Sequence, residues 1–242
     1  YMGLLDWFKG GSGESKIKKY GKKLRNKDTP VEERESIAHD LAEDGSEEAI
    51  LALLGRFEMT YEHSMKDASE KERVTNLMLG LGDKAVKPLE IFLKASNAFS
   101  RPLSIYERLT NPEQAQVLVL ELVEAEYKKS GLKPKKKRAL LVKLADFKGP
   151  NVVVSALRFV DDFDEGCRAS AVEVLIAQQE NEAIRERLLQ RLSGEDEDSS
   201  RICFRIAEVA AARSWPLGDH AASISARPPM NFVVNGGRLV AG

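Results

Sequence analysis

Residue types able to do chemistry are few in this chain and stand far apart. Its three histidines, His39, His63 and His220, fall in separate segments. Asp40 follows His39 directly, but adjacent residues on a helix point in different directions, so the two form no acid–base pair. No G-x-S-x-G elbow, Walker loop or dinucleotide glycine pattern occurs. The run Gly10-Gly11-Ser12-Gly13 has no strand before it and reads as a hinge, not a phosphate cradle. Cys167 and Cys203 lie 36 residues apart with neither zinc spacing nor a disulfide framework. They read as small buried hydrophobes in a reducing compartment. The expectation is therefore no catalytic residue, no metal site and no cofactor.

Charge is the remaining chemical resource. The 37 basic and 38 acidic side chains leave a net charge of −1, and only 7% of residues are aromatic. A generic nucleic-acid binder carries a basic excess and stacking aromatics, so both numbers weigh against one while leaving room for a local patch. One basic run holds Lys16, Lys18, Lys19, Lys22, Lys23 and Arg25; a second holds Lys128-Lys129, Lys133, Lys135, Lys136, Lys137 and Arg138. Against them stand Asp161-Asp162-Phe163-Asp164-Glu165 and Glu195-Asp196-Glu197-Asp198. The plain reading of such runs is solvated loops that limit self-association. The sharper one is a divided surface that steers a charged protein partner. Nucleic acid on the basic runs would show itself as a steep salt dependence.

The elements that must carry these side chains form a repeat. An arginine opens an apolar helical stretch at Arg34, Arg73, Arg138 and Arg168, and a second stretch begins at Ala49-Ile50, Ala85-Val86, Val153-Val154 and Ala183-Ile184. The step between them is 15 residues in three copies and 12 in the one starting at Arg73. Copies begin 39, 65 and 30 residues apart, so the longest gap holds a diverged copy. One helical pair cannot bury its apolar face alone, which is why such a period means stacking. Periodicity and breakers predict helices near 31–43 and 46–57, 69–81 and 84–96, 100–109 and 112–127, 135–146 and 150–161, 164–178 and 181–193, and 199–213. In the diverged pair the core is read as Ala115, Val117, Leu118, Leu120 and Val123.

Ahead of the repeats lie Leu4, Leu5, Trp7 and Phe8, the glycine hinge, and a basic amphipathic helix with Ile17, Tyr20 and Leu24 on one side. Two readings stand: the helix caps the first repeat, or it lies on an acidic membrane surface or partner. Tyr1 precedes Met2, so the native start is expected at Met2, and the opening segment is too short for a signal peptide. At the far end, Asn235-Gly236 within Phe232–Val240 signals a β-hairpin, since a type I′ turn needs positive φ at both central residues.

The phrase R-x-x-A-x-x-x-L, a turn with glycine or an acid, then A-[IV]-x-x-L, resembles the HEAT repeat, in particular the short bacterial kind found in PBS lyases. Arg168-Ala171-Leu175 and Ala85-Val86-Leu89 carry it best. Arg34-Ile37-Leu41, Ala49-Ile50-Leu53, Arg138-Leu141-Ala145 and Val153-Val154-Leu157 carry it with apolar substitutions. The resemblance spans roughly residues 30–215 and implies a right-handed α-α superhelix of about five to six pairs. It also implies that Arg34, Arg73, Arg138 and Arg168 form an internal ladder to acidic or carbonyl groups near the adjacent turn. On function it is silent. Iron-binding relatives carry repeated His-Glu pairs, and this chain has no His-Glu dipeptide. Glycosylase relatives read a lesion with tryptophans in a basic groove, whereas Trp7 and Trp215 both fall outside the repeats. Bilin lyases offer no motif that transfers.

The expected protein is all-α, an α-α superhelix with a small C-terminal β-hairpin, organised as residues 1–27, 28–217 and 218–242. Its expected function is a non-catalytic scaffold that holds a protein segment along a concave groove of second helices, with Arg56, Lys87, Lys94, Arg158 and Arg185 facing outward. Nucleic-acid binding through Lys16–Lys27 and Lys133–Arg138 is the alternative, and an enzyme of the bilin-lyase or glycosylase type is the third. No apolar stretch reaches the ~20 residues that span a bilayer. The location is read as cytoplasmic, with peripheral membrane contact by residues 2–27 as a further option.

Overall fold

The computed structural model describes residues 15–61, 64–128 and 135–242. The apolar segment Leu4–Phe8, the glycine hinge, His63, Lys129 and Lys133 lie outside them. The chain divides into two compact units, one up to Leu118 and one from Val119 onward, and the division falls within a single helix.

In the first unit, α1 (Lys16–Leu24) precedes the pair α2 (Val31–Asp44) and α3 (Glu47–Leu54). The pair α4 (Ser64–Leu81) and α5 (Val86–Ala95) follows, then α6 (Ser100–Leu109) and the start of α7 (Pro112–Tyr127). First helices pack on first helices, α2 on α4 and α4 on α6, while α3 packs on α5. That is solenoid stacking. It follows from α3, where every residue from Ala49 to Leu54 is buried, so the helix must be enclosed on all sides. Ser46 caps α3 by accepting from the Ala49 N–H at 3.2 Å. Gly45 ends α2 at φ 61°, a left-handed conformation that a side chain would strain. The basic helix α1 docks on α2 and α3, burying Leu24, and the Tyr20 hydroxyl donates to Asp40 at 2.8 Å. The structure thus places this helix where a cap belongs.

Two boundaries in this unit differ from expectation. The chain tightens after α3 into a 3₁₀ turn, Gly55–Glu58, which swings Arg56 inward. Helix α4 begins at Ser64, well ahead of residue 69, and so carries Asp67 and Glu70 on its buried side.

The second unit takes the rest of α7, the pair α8 (Lys135–Leu144) and α9 (Pro150–Leu157), the pair α10 (Glu165–Ala177) and α11 (Glu182–Ser193), and α12 (Ser200–Ala212). Here α8 packs on α10, α10 on α12, and α9 on α11. Two stripes run in another register than expected. In α7 the buried residues are Ala115, Leu118, Val119, Leu122 and Val123, the i, i+3, i+4, i+7, i+8 series of a core-facing helix, which turns Val117 to solvent. In α9, a short helix started by Pro150, Val152 and Ala156 are buried four residues apart and Val154 is exposed.

After Trp215, a 3₁₀ turn (Gly218–His220) and α13 (Ala221–Ala226) lead to β1 (Phe232–Asn235) and β2 (Arg238–Ala241), an antiparallel hairpin. Its central turn residues are Gly236 and Gly237, at φ 57° and 72°, one position later than Asn235-Gly236. Two glycines meet the double positive-φ requirement better than an asparagine and a glycine. In this register Val234 pairs with Leu239, which is buried where β2 packs on α12, and Val233 and Val240 face outward. The described protein is all-α with a small C-terminal hairpin.

Candidate functional site

A groove of about 640 Å³ lies in the second unit across the first helices α8, α10 and α12. Its floor is small and apolar: Ala139 and Val142 from α8, Ala169 and Ser170 from α10, Ile202 from α12. Val142 stands out because a core-sized aliphatic side chain is 63% exposed there. Charged side chains border the floor, with Lys135, Arg138, Arg201 and Arg205 against a single carboxylate, Glu173. Arg205 is held by two carboxylates, its Nε and Nη2 donating to Glu173 at 2.8 and 3.1 Å and its Nη1 to Glu208 at 2.7 Å. Lys135 has no ion pair among the described residues, and Arg201 makes one long contact, 3.3 Å, to Glu165.

Arg138 is positioned by a glycine. A Cβ on Gly166 would fall 2.3 Å from Arg138 Nε, so the arginine stem lies flat where any side chain would displace it. From there Nε and Nη2 both donate to Asp164 at 2.6 Å. Asp164 also caps α10, accepting from the Cys167 N–H at 2.8 Å. The Arg138 bonds hold its carboxyl well below the usual carboxylate range. Cys167 behind it is buried, and burial pushes its thiol up to about 12, which removes it as a nucleophile.

The charge runs, read from sequence as solvated loops or a divided surface, neutralise each other inside the second unit. Lys137 is buried and donates to Asp162 at 2.6 Å, and buried Lys136 sits 3.9 Å from Glu126. Two members of the proposed basic patch are therefore interior. Four cations in the first turn of α8 oppose the helix dipole, and buried or capping carboxylates compensate three of them. In the first unit, Lys23 pairs with Glu33, and Lys16 lies 3.8 Å from Asp40 and over the Tyr20 ring. Lys19 and Lys22 are exposed, and Lys18 is half-buried. Lys133 falls outside the described residues.

Of the four ladder arginines, Arg34 and Arg168 are buried and clamp carboxylates of the following helical pair, Glu70 within α4 and Glu197 in the loop before α12. Arg34 gives Nε and Nη2 to Glu70 at 3.0 and 2.8 Å, and Arg168 does the same to Glu197 at 3.1 and 3.0 Å. Arg138 reaches Asp164 from a half-exposed position. Arg73 does not join the ladder as expected: it is exposed and reaches back to Glu35 at 2.8 Å. Arg56, expected outward, is 1% exposed and shares Glu70 and Asp67 at 3.1 and 2.8 Å. The 3₁₀ turn is the reason, since it rotates residue 56 off the helix face that α3 would have given it. Glu70 and Arg191 were not singled out from sequence, and Glu197 figured there only as one member of an acidic run. Glu70 stands 36 residues after Arg34 and Glu197 29 after Arg168, so no common spacing announced them.

The other second-helix candidates are at the surface but not gathered into a groove. Lys87 pairs with Glu47 at 2.8 Å, Arg158 with Glu124 beside the Tyr127 ring, and Arg185 stands 4.0 Å from Glu180. Lys94 is exposed. The grooves line first helices instead. In the first unit, one of about 470 Å³ runs between α2 and α4 beside Ala42 and Gly80.

A hydroxyl–imidazole–carboxylate chain also escaped the sequence reading. Ser193 Oγ meets His220 Nδ1 at 2.8 Å, and His220 Nε2 meets Glu186 Oε1 at 2.8 Å. The single Ser193 hydroxyl proton has a second acceptor in the Gln190 carbonyl at 3.2 Å, so the chain has the residue types of a nucleophile relay without a hydroxyl dedicated to the imidazole. Catalysis needs in addition a cleft and donors for an oxyanion, and the grooves described above are lined by other residues. The chain's evident work is to tie the turn before α13 to α11. It could not be seen in sequence because Ser193 and His220 stand 27 residues apart.

Among the described residues no three His, Cys, Asp or Glu side chains are grouped to hold a metal ion, and no helix is long and apolar enough to cross a membrane. No family model matches the chain, and neither the curated proteins nor the solved structures compared with it provide a match.

Proposed function

We propose that this chain is a HEAT-type helical-repeat module that binds a protein partner without catalysing a reaction, and that its seat is the groove over α8, α10 and α12. The observation that carries the reading is that groove's composition: an open floor of small apolar side chains with exposed Val142, bordered by cations. Small side chains let a partner's backbone approach closely, and apolar floor area supplies affinity while the charged border supplies selectivity. The seat lies on first helices, in place of the second-helix groove expected from the repeat alone. The burial of Lys136 and Lys137 and the neutralisation of the basic run favour protein over nucleic acid.

Affinity capture with the full chain, run beside an Ala169→Arg variant that fills the groove floor, tests this. A protein retained through nuclease and moderate salt by the parent chain and lost by the variant supports the reading. Equal retention by both chains moves the seat elsewhere, and material lost with nuclease moves the function to nucleic acid.

A further inference from the structure

The groove's charges are unequally spent, and that inequality defines its occupant. Arg205 bonds through all three of its nitrogens, and two carboxylates, Glu173 and Glu208, balance its charge. Arg138 has given Nε and Nη2 to Asp164 and keeps Nη1 uncommitted. Lys135, three residues earlier on the same helix face, has no carboxylate, and exposed Arg201 holds Glu165 only at 3.3 Å. The groove's own carboxylate, Glu173, is already bidentate to Arg205. The donors left open in this groove, on Lys135, on Arg138 Nη1 and on the loosely held Arg201, thus all belong to cations, and they border a floor of mostly apolar side chains.

We infer that the groove receives an acidic segment of a partner protein, with short apolar side chains on the floor beside Val142 and carboxylates meeting Lys135, Arg138 and Arg201. This rests on the groove being the partner seat and specifies what fills it. A basic or neutral segment would leave Lys135 unpaired and the open donors of Arg138 and Arg201 partly desolvated and unmatched, which is the discriminating penalty. Gly166 is a positioning residue for the same specificity, because a side chain there displaces Arg138 from the wall.

The test offers a random peptide library on phage to the immobilised full chain, with a Val142→Glu chain for counter-selection. Val142 is exposed, so the change leaves the core intact, and circular dichroism checks each variant. The expected selection is of sequences lost on Val142→Glu that carry more Asp and Glu than Lys and Arg around short apolar residues. A synthetic peptide of that kind should bind about tenfold more weakly to a Lys135→Glu, Arg201→Glu chain, a change of roughly 1.4 kcal/mol. Neutral or basic sequences that are still lost on Val142→Glu would overturn the acidic occupant and leave the groove reading intact. If no selected sequence responds to Val142→Glu, the groove reading itself falls and the occupant with it. Displacement of the peptide by oligothymidylate with a steeper salt slope would assign the seat to nucleic acid and overturn the inference.

Discussion

Each unit holds a buried carboxylate clamped by two arginines, and the two clusters reach the same geometry by different routes. In the first unit Glu70 takes Nε and Nη2 of Arg34 and Nε of Arg56; in the second, Glu197 takes Nε and Nη2 of Arg168 and Nε of Arg191. Glu70 sits within α4, whereas Glu197 sits in the loop before α12 and also accepts the Ser199 N–H at 2.9 Å. The flanking acids differ most. Arg56 leans on Asp67, which is 10% exposed, while Arg191 leans on Asp161 at 58% and Arg168 on Asp198 at 91%. The Tyr61 ring lies 4.6 and 4.8 Å from the Arg34 and Arg56 guanidinium carbons and closes the first cluster. The central carboxylates are both enclosed, Glu197 at 0% and Glu70 at 5% exposed, but the flanking acid of the first cluster is sealed in with it while those of the second share its charge with water. One lock, used twice, is therefore not equally strong in both places.

The largest effect should come from removing the sealed carboxylate. Glu70→Gln leaves buried Arg34 without a carboxylate and Arg56 with Asp67 alone, at a cost of about 3–5 kcal/mol. Glu197→Gln should cost roughly half that, because exposed Asp161 and Asp198 remain to neutralise Arg191 and Arg168. Urea denaturation followed by circular dichroism, with hydrogen exchange reporting on each unit, ranks the two. Equal costs, or the reverse order, would break the distinction between a sealed and an open cluster.

Acid should weaken both clusters by the same linkage. Burial pushes the Glu70 and Glu197 carboxyls upward, but their arginine bonds outweigh it and hold both below the ordinary 4.5. A carboxylate depressed in the folded chain binds fewer protons there than in the unfolded one. Its stabilisation is whole above pH 4.5 and is lost as pH falls through the lower folded value. Stability measured from pH 6 downward should therefore begin to fall near that point, and Glu70→Gln should flatten the fall. An unchanged slope in Glu70→Gln would show that other carboxylates control acid unfolding.

These clusters also mark how far the residues could be read before folding. The arginine period was legible because Arg34, Arg138 and Arg168 open helices at a repeated spacing, and the pairs they open do stack. Their carboxylate partners were not, because Glu70 is contributed from within α4 and Glu197 from a loop, so no common spacing reveals them. Arg56 was misplaced by a 3₁₀ turn that periodicity cannot foresee, and Val117 by a helix stripe whose neighbours are nearly all apolar. The groove was legible only as a consequence of stacking. Which helices line it depends on side-chain volume at Ala139, Ala169 and Ser170, and size at such positions carries no periodic signal.

A smaller effect separates the ring of Tyr61 from its hydroxyl. The ring covers both guanidiniums, whereas the buried hydroxyl has no hydrogen-bond partner among the described residues. Tyr61→Phe keeps the cover and removes an unsatisfied donor, so it should leave stability unchanged or raise it by up to about 1 kcal/mol. Tyr61→Ala should destabilise, since it opens the first cluster to water as the second already is. A loss of more than about 1 kcal/mol in Tyr61→Phe would mean that the hydroxyl supports the sealed cluster after all.

The smallest effect belongs to Asp198, and it sharpens the comparison from the other side. Its carboxylate touches Arg168 Nη2 at 3.2 Å, yet its side chain is 91% exposed. A solvated, salt-screened contact of this kind adds little to an arginine already held by Glu197 and by the Asp162 carbonyl at 3.0 Å. Asp198→Asn alone should change stability by less than about 0.5 kcal/mol. In a Glu197→Gln background the same change should cost more, because Asp198 is then the carboxylate left on Arg168. The difference between those two measurements is a double-mutant coupling, and its size tells how much of the open cluster's tolerance comes from the shared acid. Zero coupling would mean that water alone accommodates Arg168, and that openness, not a spare carboxylate, distinguishes the second cluster from the first.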